Sequence, residues 1–294
     1  MPRRIFIINR LMLESLICIC GAGTMGRGIA LSAATQGISV ILYDMNAEML
    51  TTAASAVENE LAQSIEKNRI SREEKENILQ AIRFSSILSE CRAPLIIEAI
   101  TENSEAKSAL FVELDEINLG DTIYLSNTSS LSVTGIAEQT PFPEKIAGLH
   151  FFNPANRMKL VEIIRTKYNS DVMVHRIQNF ALQLKKTPVI CLDRAGFIVN
   201  RVARPYYLEA MRLAEQRQTD TTTIDKIMVS AGFPMGPFHL MDLIGLDVNY
   251  MVSCSIYESL GRPARLKPSS LQEILVKEGL LGKKTGQGFF EYLK

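Results

Sequence analysis

Two ionisable residues stand in segments where an ionisable side chain is costly. His150 closes an apolar run that begins at Lys145, and it precedes Phe-Phe-Asn-Pro, a turn signal. Glu162 interrupts the apolar run from Leu160 to Thr166. A buried carboxylate needs a partner, and an imidazole twelve residues earlier, on a neighbouring strand, is the available one. Such a pair would fix the tautomer of the ring and stabilise its protonated form, giving a proton acceptor usable near neutral pH. The alternative reading is a structural ion pair between Glu162 and a Lys or Arg. The other histidines are less promising: His175 falls within an amphipathic helical pattern and His239 near a helix start, positions that suit surface, capping or packing roles.

A second pattern concerns phosphate. Gly21-Ala22-Gly23-Thr24-Met25-Gly26 follows an apolar strand-like run, Leu16 to Cys20, and precedes a helix-compatible run, Ile29 to Gln36, that ends at Gly37. Between a strand and a helix, this spacing is a dinucleotide-binding signature. Gly21 permits the tight turn, Gly23 lets backbone approach a pyrophosphate, and Gly26 allows close packing of a helix whose N-terminus faces the anion. Asp44, about 20 residues on at the end of a second apolar run from Ile38, can accept hydrogen bonds from ribose hydroxyls. It would repel a 2′-phosphate, and the following Met45 and Asn46 supply no arginine. The expected cofactor is therefore NAD rather than NADP.

These residues need a sheet to carry them. Further short apolar runs occur at Pro94 to Ile100, Thr122 to Ser126, Lys145 to Phe152, Leu160 to Thr166 and Pro188 to Leu192, with helical stretches at Ser104 to Asn118 and Ser170 to Leu184. The alternation predicts an α/β fold, an N-terminal Rossmann-type doubly wound sheet. Ala47 to Asn68, and a second helix from the capping-box pair Ser71 and Glu74 to about Ile82, predict an inserted helical hairpin. After Asp193 the pattern becomes helical, at Phe197 to Arg217, Thr221 to Ser230 and His239 to Leu260. An NAD-binding domain over 1–193 and an all-helical C-terminal domain over 194–294 are expected.

Composition narrows the partners. Lys plus Arg and Asp plus Glu balance at 32 each over 294 residues, so neither nucleic acid nor an anionic membrane is an expected partner. Asn9, Arg10 and Glu14 interrupt the apolar character of the opening segment, and an intracellular, cytoplasmic location is expected. Five cysteines without a paired CxxC pattern predict neither a disulfide framework nor a metal site. Cys18 and Cys20 would share one strand face as small buried hydrophobes.

The chain resembles the short-chain L-3-hydroxyacyl-CoA dehydrogenases, a family that includes 3-hydroxybutyryl-CoA dehydrogenase. The resemblance rests on CGAGTMGRGIA from Cys20, IIEAITEN from Ile96, SNTSSL from Ser126, GLHFFNP from Gly148, MKLVEII from Met158, GFIVNR from Gly196, GFPMGPFHLMDLIGLDV from Gly232 and GKKTGQGFF from Gly282. It implies that His150 and Glu162 are the catalytic pair and that Ser129 and Asn200 hydrogen-bond the reacting oxygen of an acyl-CoA substrate. It also implies cofactor contacts from Gly21, Gly23, Thr24, Met25, Gly26, Asp44, Glu102, Lys107, Ser129, Asn153 and Lys284, and a contact from Lys67 to the CoA portion. Because Asn200 follows the expected boundary, both domains should contribute to the site. A homodimer through the helical domain is implied, with Phe233, Phe238, Leu240 and Leu243 as candidate interface residues or, equally, as core. Two features depart from the family: Glu60 stands where some relatives carry serine, and the segment before Leu16 is long, so Met12 is a possible alternative start. A free hydroxy acid as substrate and a non-catalytic NAD-binding role are the rival readings. Chain length stays open between a C4 acyl group and a dicarboxylic one such as 3-hydroxyadipyl.

Overall fold

A computed structural model describes residues 14–292. The opening eleven residues and Met12 lie outside the described residues. The chain forms two compact units that adjoin in sequence at Asp193 and Arg194.

The first unit begins with β1 (Leu16–Cys20), α1 (Thr24–Ala34) and β2 (Ser39–Tyr43). The hairpin α2 (Ala47–Glu66) and α3 (Arg72–Gln80) follows, then β3 (Ile82–Ser85), β4 (Leu95–Glu98), α4 (Ser104–Ile117) and β5 (Ile123–Ser126). The unit closes with α5 (Val133–Glu138), β6 (Ile146–Phe151), β7 (Leu160–Arg165), α6 (Asp171–Gln183) and β8 (Thr187–Leu192). All eight strands make one sheet in the order β3-β2-β1-β4-β5-β6-β7-β8. Every neighbouring pair is parallel except β6 and β7. The exception follows from the connection: residues 152–159 carry no helix that could bring the chain back to start a parallel strand. Alternation along β1 sends Ile17 and Ile19 to a core shared with Ile29 and Ala33 of α1, and Cys18 and Cys20 to the opposite face.

The expected α/β fold with an inserted hairpin is present, with one strand more than the sequence announced. The pattern from Ser71 carried a helix to about Ile82, whereas α3 stops at Gln80 and Ile82–Ser85 pairs with β2. Four residues containing an exposed arginine carry too little alternation to reveal an edge strand. The capping box forms as its residues predict: Ser71 Oγ accepts from Glu74 N at 3.0 Å and Ser71 N donates to Glu74 Oε2 at 2.7 Å. Ser71→Ala should lower stability by about 1 kcal/mol, a change measurable by urea unfolding; no change would mean that packing alone holds α3.

The second unit is helical: α7 (Val199–Glu215), α8 (Thr221–Ser230), α9 (Pro237–Ile244), α10 (Leu246–Ser259) and α11 (Ser270–Lys277). The single helix expected over His239 to Leu260 is two, broken at Gly245, where φ is +101°. Phe238, Met241, Leu246, Met211 and Ile256 are fully buried at its centre. Phe238 meets the edge of Phe289 with ring centroids 4.8 Å apart, so this candidate interface residue is core. Among the described residues no helix is long and apolar enough to cross a membrane.

Candidate active site

The antiparallel register of β6 and β7 sets His150 directly opposite Glu162. His150 Nδ1 lies 2.8 Å from Glu162 Oε2, with His150 5% and Glu162 0% exposed. A carboxylate accepts at Nδ1–H, which leaves the lone pair of a neutral ring on Nε2. The Phe152 ring packs against the imidazole at 4.5 Å between centroids. The geometry therefore gives a buried imidazole one fixed orientation and a negative charge ready to stabilise its protonated form.

His150 sits near the carboxyl end of β6, and β1, β4, β5 and β6 run parallel, so their carboxyl ends share one edge of the sheet. That edge is where open α/β sheets bind ligands. Asn127, just past β5, accepts from Phe151 N through Oδ1 at 2.9 Å and ties the turn after β5 to the strand that carries His150. The same turn holds Ser129, whose backbone N–H donates to Glu102 Oε1 at 3.1 Å. Glu102 Oε1 also accepts from Thr128 Oγ1 at 2.6 Å and from Ser130 N and Oγ at 3.2 and 3.0 Å.

Behind this turn lies a buried charge cluster. Lys107 Nζ is 2.5 Å from Glu98 Oε1 and 3.3 Å from Glu102 Oε2, and Ser126 Oγ donates to Glu98 Oε2 at 2.7 Å. Burial drives the Glu98 carboxyl above its ordinary range, against the opposing pull of Lys107 and the hydrogen bonds from Ser126 and Ile100 N. At Glu102 burial pushes upward too, but the Lys107 charge and the Thr128 and Ser130 hydroxyls outweigh it and hold the carboxyl below the usual value. Lys107 is 1% exposed. Its ammonium, of which a cofactor contact is expected, is enclosed beside the two glutamates. Glu98 was missed, although it carries the signal that betrayed Glu162, a glutamate within an apolar strand.

The glycine loop can be tested against a dinucleotide. Gly21 has φ +107°, and a Cβ there would lie 2.5 Å from Ala99 O. A Cβ on Gly26 would lie 1.7 Å from Gly21 O, whereas one on Gly23 would meet nothing within 4 Å. The loop is thus closed against its own protein at Gly21 and Gly26 and open at Gly23, the position expected to admit the pyrophosphate. Thr24 and Met25 open α1, Thr24 exposed and Met25 half-buried. Asp44 Oδ2 accepts from Ala22 N at 2.8 Å and Oδ1 from Asn46 N at 2.9 Å, which fixes the carboxylate beside the loop. The residues fit NAD.

The other expected site residues lie in the connection that follows β6, on the helical hairpin and in the second unit. Asn153 is exposed in the 152–159 connection, and Lys67 is the exposed C-cap of α2. Glu60 Oε1 accepts from Asn156 Nδ2 at 2.9 Å and pairs with Arg157 at 3.1 Å. In the second unit, Asn200 lies in the first turn of α7 and its carbonyl accepts from Arg204 Nε at 3.1 Å. Lys284 Nζ is bound by both carboxylate oxygens of Asp247 at 2.6 Å. His239 pairs with Asp225 at 2.5 Å and stacks on Phe290, with centroids 3.8 Å apart, a packing role.

Residues 16–194 match the family model described as 3-hydroxyacyl-CoA dehydrogenase, NAD binding domain, and residues 196–292 match its C-terminal domain. NAD, inferred above from Asp44, is the cofactor which that description names. The chain is 43% identical over 278 residues to the 3-hydroxyadipyl-CoA dehydrogenase of Escherichia coli, covering 94% of this chain and 58% of the relative. It therefore spans little more than half the length of that relative. The probable 3-hydroxybutyryl-CoA dehydrogenase of Bacillus subtilis is 38% identical, with 94% of this chain and 96% of the relative covered. The crystal structure of (S)-3-hydroxybutyryl-CoA dehydrogenase from Ralstonia eutropha superposes with a TM-score of 0.90 at 33% identity, covering 96% of this chain and 100% of that one. With both matched segments in order and together accounting for nearly the whole chain, this protein belongs to the 3-hydroxyacyl-CoA dehydrogenase family.

Proposed function

We propose that the chain interconverts an (S)-3-hydroxyacyl-CoA and the corresponding 3-oxoacyl-CoA, using NAD. The observation that carries the reading is the buried His150–Glu162 pair at 2.8 Å, set on the ligand-binding edge of a sheet whose first turn is a dinucleotide loop. NAD, when bound, supplies the hydride-accepting nicotinamide carbon. His150 takes the proton of the 3-hydroxyl, and Glu162 stabilises the imidazolium that results. In the reverse direction His150 is the acid. Ser129 and Asn200, candidates that the family resemblance supports, hydrogen-bond the reacting oxygen and orient it. The acyl group is short, as in 3-hydroxybutyryl-CoA, or dicarboxylic, as in 3-hydroxyadipyl-CoA, the two substrates named among the relatives. Lys67 contacts the CoA portion, while Asn153 and Lys284 contact the cofactor.

The test is loss of NADH absorbance with acetoacetyl-CoA, beside free acetoacetate and beside NADPH. Rapid NADH loss with the thioester alone supports the proposal; activity on the free acid alone defeats it. Asp44→Ser should reduce the preference for NADH over NADPH by about tenfold or more, because the repulsion of a 2′-phosphate is removed. An unchanged ratio of kcat/KM values would place cofactor selection elsewhere.

The protein acts as a homodimer through its helical unit. Phe233 and Leu243 are 45% and 53% exposed and Leu240 is half-buried, so these three are available to an interface that Phe238 cannot join. A monomer in sedimentation at micromolar concentration would defeat this assignment.

A further inference from the structure

The face of β1 opposite α1 holds a group of side chains that the dehydrogenase reaction does not use. Cys18 and Cys20 project from it, and Cys91 reaches them from the irregular segment between the 3-10 turn Leu88–Glu90 and β4. The three sulfur atoms all lie within 4.8 Å of one another, and all three residues are 0% exposed. The position of Cys91 is fixed by the neighbouring backbone. Asn118 Nδ2 donates to Cys91 O at 2.8 Å and Asn118 Oδ1 accepts from Ala93 N at 3.0 Å, so a buried amide clamps the segment on both sides of Arg92.

We propose that Cys18, Cys20 and Cys91 form a three-thiol site for one trivalent, thiophilic centre of the arsenite class. Three sulfurs converge, and no fourth ligand joins them among the described residues. Glu90, the nearest carboxylate in sequence, is held by Arg83 at 2.8 Å and Ser85 at 2.7 Å. A tetrahedral structural zinc site requires four protein ligands. Charge separates the remaining soft centres. Three thiolates around a monovalent or divalent ion leave net negative charge in a dry interior, which is strongly disfavoured. A trivalent centre gives a neutral product: As(OH)3 plus three thiols yields As(SR)3 plus three waters. Each S–H and As–OH bond is exchanged for an As–S bond and water, with no change of oxidation state.

The test is native mass spectrometry and thermal unfolding of the whole chain with sodium arsenite. The expected result is one arsenic per chain with no hydroxide retained, the mass signature of three As–S bonds, together with a raised unfolding midpoint because the folded state binds. Cys91→Ser should weaken arsenite binding at least about tenfold, since one of three bonds is lost. Absence of an adduct on the folded chain, an adduct that retains a hydroxide, or a lowered midpoint would each overturn the proposal. If Cys91→Ser does not fold, the adduct mass on the unsubstituted chain decides the question alone.

Discussion

His150→Gln should lower kcat by about 10²- to 10⁴-fold, the range contributed by a positioned general acid or base, while NADH binding stays within a few-fold of the original. Glutamine is chosen because its amide can still donate to Glu162, which sits fully buried opposite residue 150. Alanine would take the imidazole away from that buried carboxylate and mix a stability defect with the chemical one. Glutamine removes only the ability to accept and return a proton. NADH affinity, read by fluorescence titration, reports whether the glycine loop survives, and single-turnover rates with acetoacetyl-CoA isolate chemistry from release. A variant that keeps kcat within about threefold of the original would exclude His150 as the proton-transfer group.

Lys107→Met should destabilise the protein by about 3–5 kcal/mol at neutral pH, the usual cost of removing one partner of a buried charged group. The lysine stem is replaced by a chain of similar length, so little packing is lost, but Glu98 at 0% and Glu102 nearby both lose their cation. The cost should depend on pH, with a definite sign. The Glu98 carboxyl is already raised by burial, and removing Lys107 raises it further. A carboxyl whose folded value lies above its unfolded value favours the folded state below the unfolded value and loses that contribution as pH rises through the folded one. Urea unfolding should therefore show the gap between variant and parent narrowing as pH falls from 7 towards 5. A gap that is constant with pH would mean that the variant fails through packing and not through charge.

Legibility differed with the kind of signal each residue left. Glu162 was recognisable because a carboxylate inside Leu-Val-Glu-Ile-Ile has no local explanation, and the partner it required was then found at His150. Glu98, in Ile-Ile-Glu-Ala, left the same trace, but its partner Lys107 lies in a helix, where a lysine reads as solvated. Which helix face turns inward against β4 is decided by tertiary packing, so the triad emerged only with the fold. The glycine loop was legible because steric exclusion acts between near neighbours: the Cβ that Gly26 lacks would strike Gly21 itself. Cys91 was invisible as the third member of its cluster for the opposite reason, since it lies far along the chain from Cys18 and Cys20 and is brought to them by the 86–94 segment. Local geometry also explains the divided helix in the second unit, because a backbone at φ +101° in Gly245 leaves only a mild compositional mark in a run that is otherwise helical.

The antiparallel ladder between β6 and β7 sets a rule for which insertions and deletions the protein can absorb. His150 and Glu162 meet because both occupy the same rung, and side chains on a strand alternate between faces. A residue gained or lost within 152–159 changes the reach of the connection and leaves the rung intact. A single deletion at Leu160 or Val161 moves the strand by one position if the loop end stays fixed, turning Glu162 to the far side of the sheet and bringing an apolar side chain to the imidazole. Changes of loop length on one side of Leu160 leave this rung in register, their cost falling instead on Asn153 and on the Glu60 contacts of Asn156 and Arg157, whereas on the other side reading-frame-preserving changes of even one codon should be as damaging as removing the glutamate.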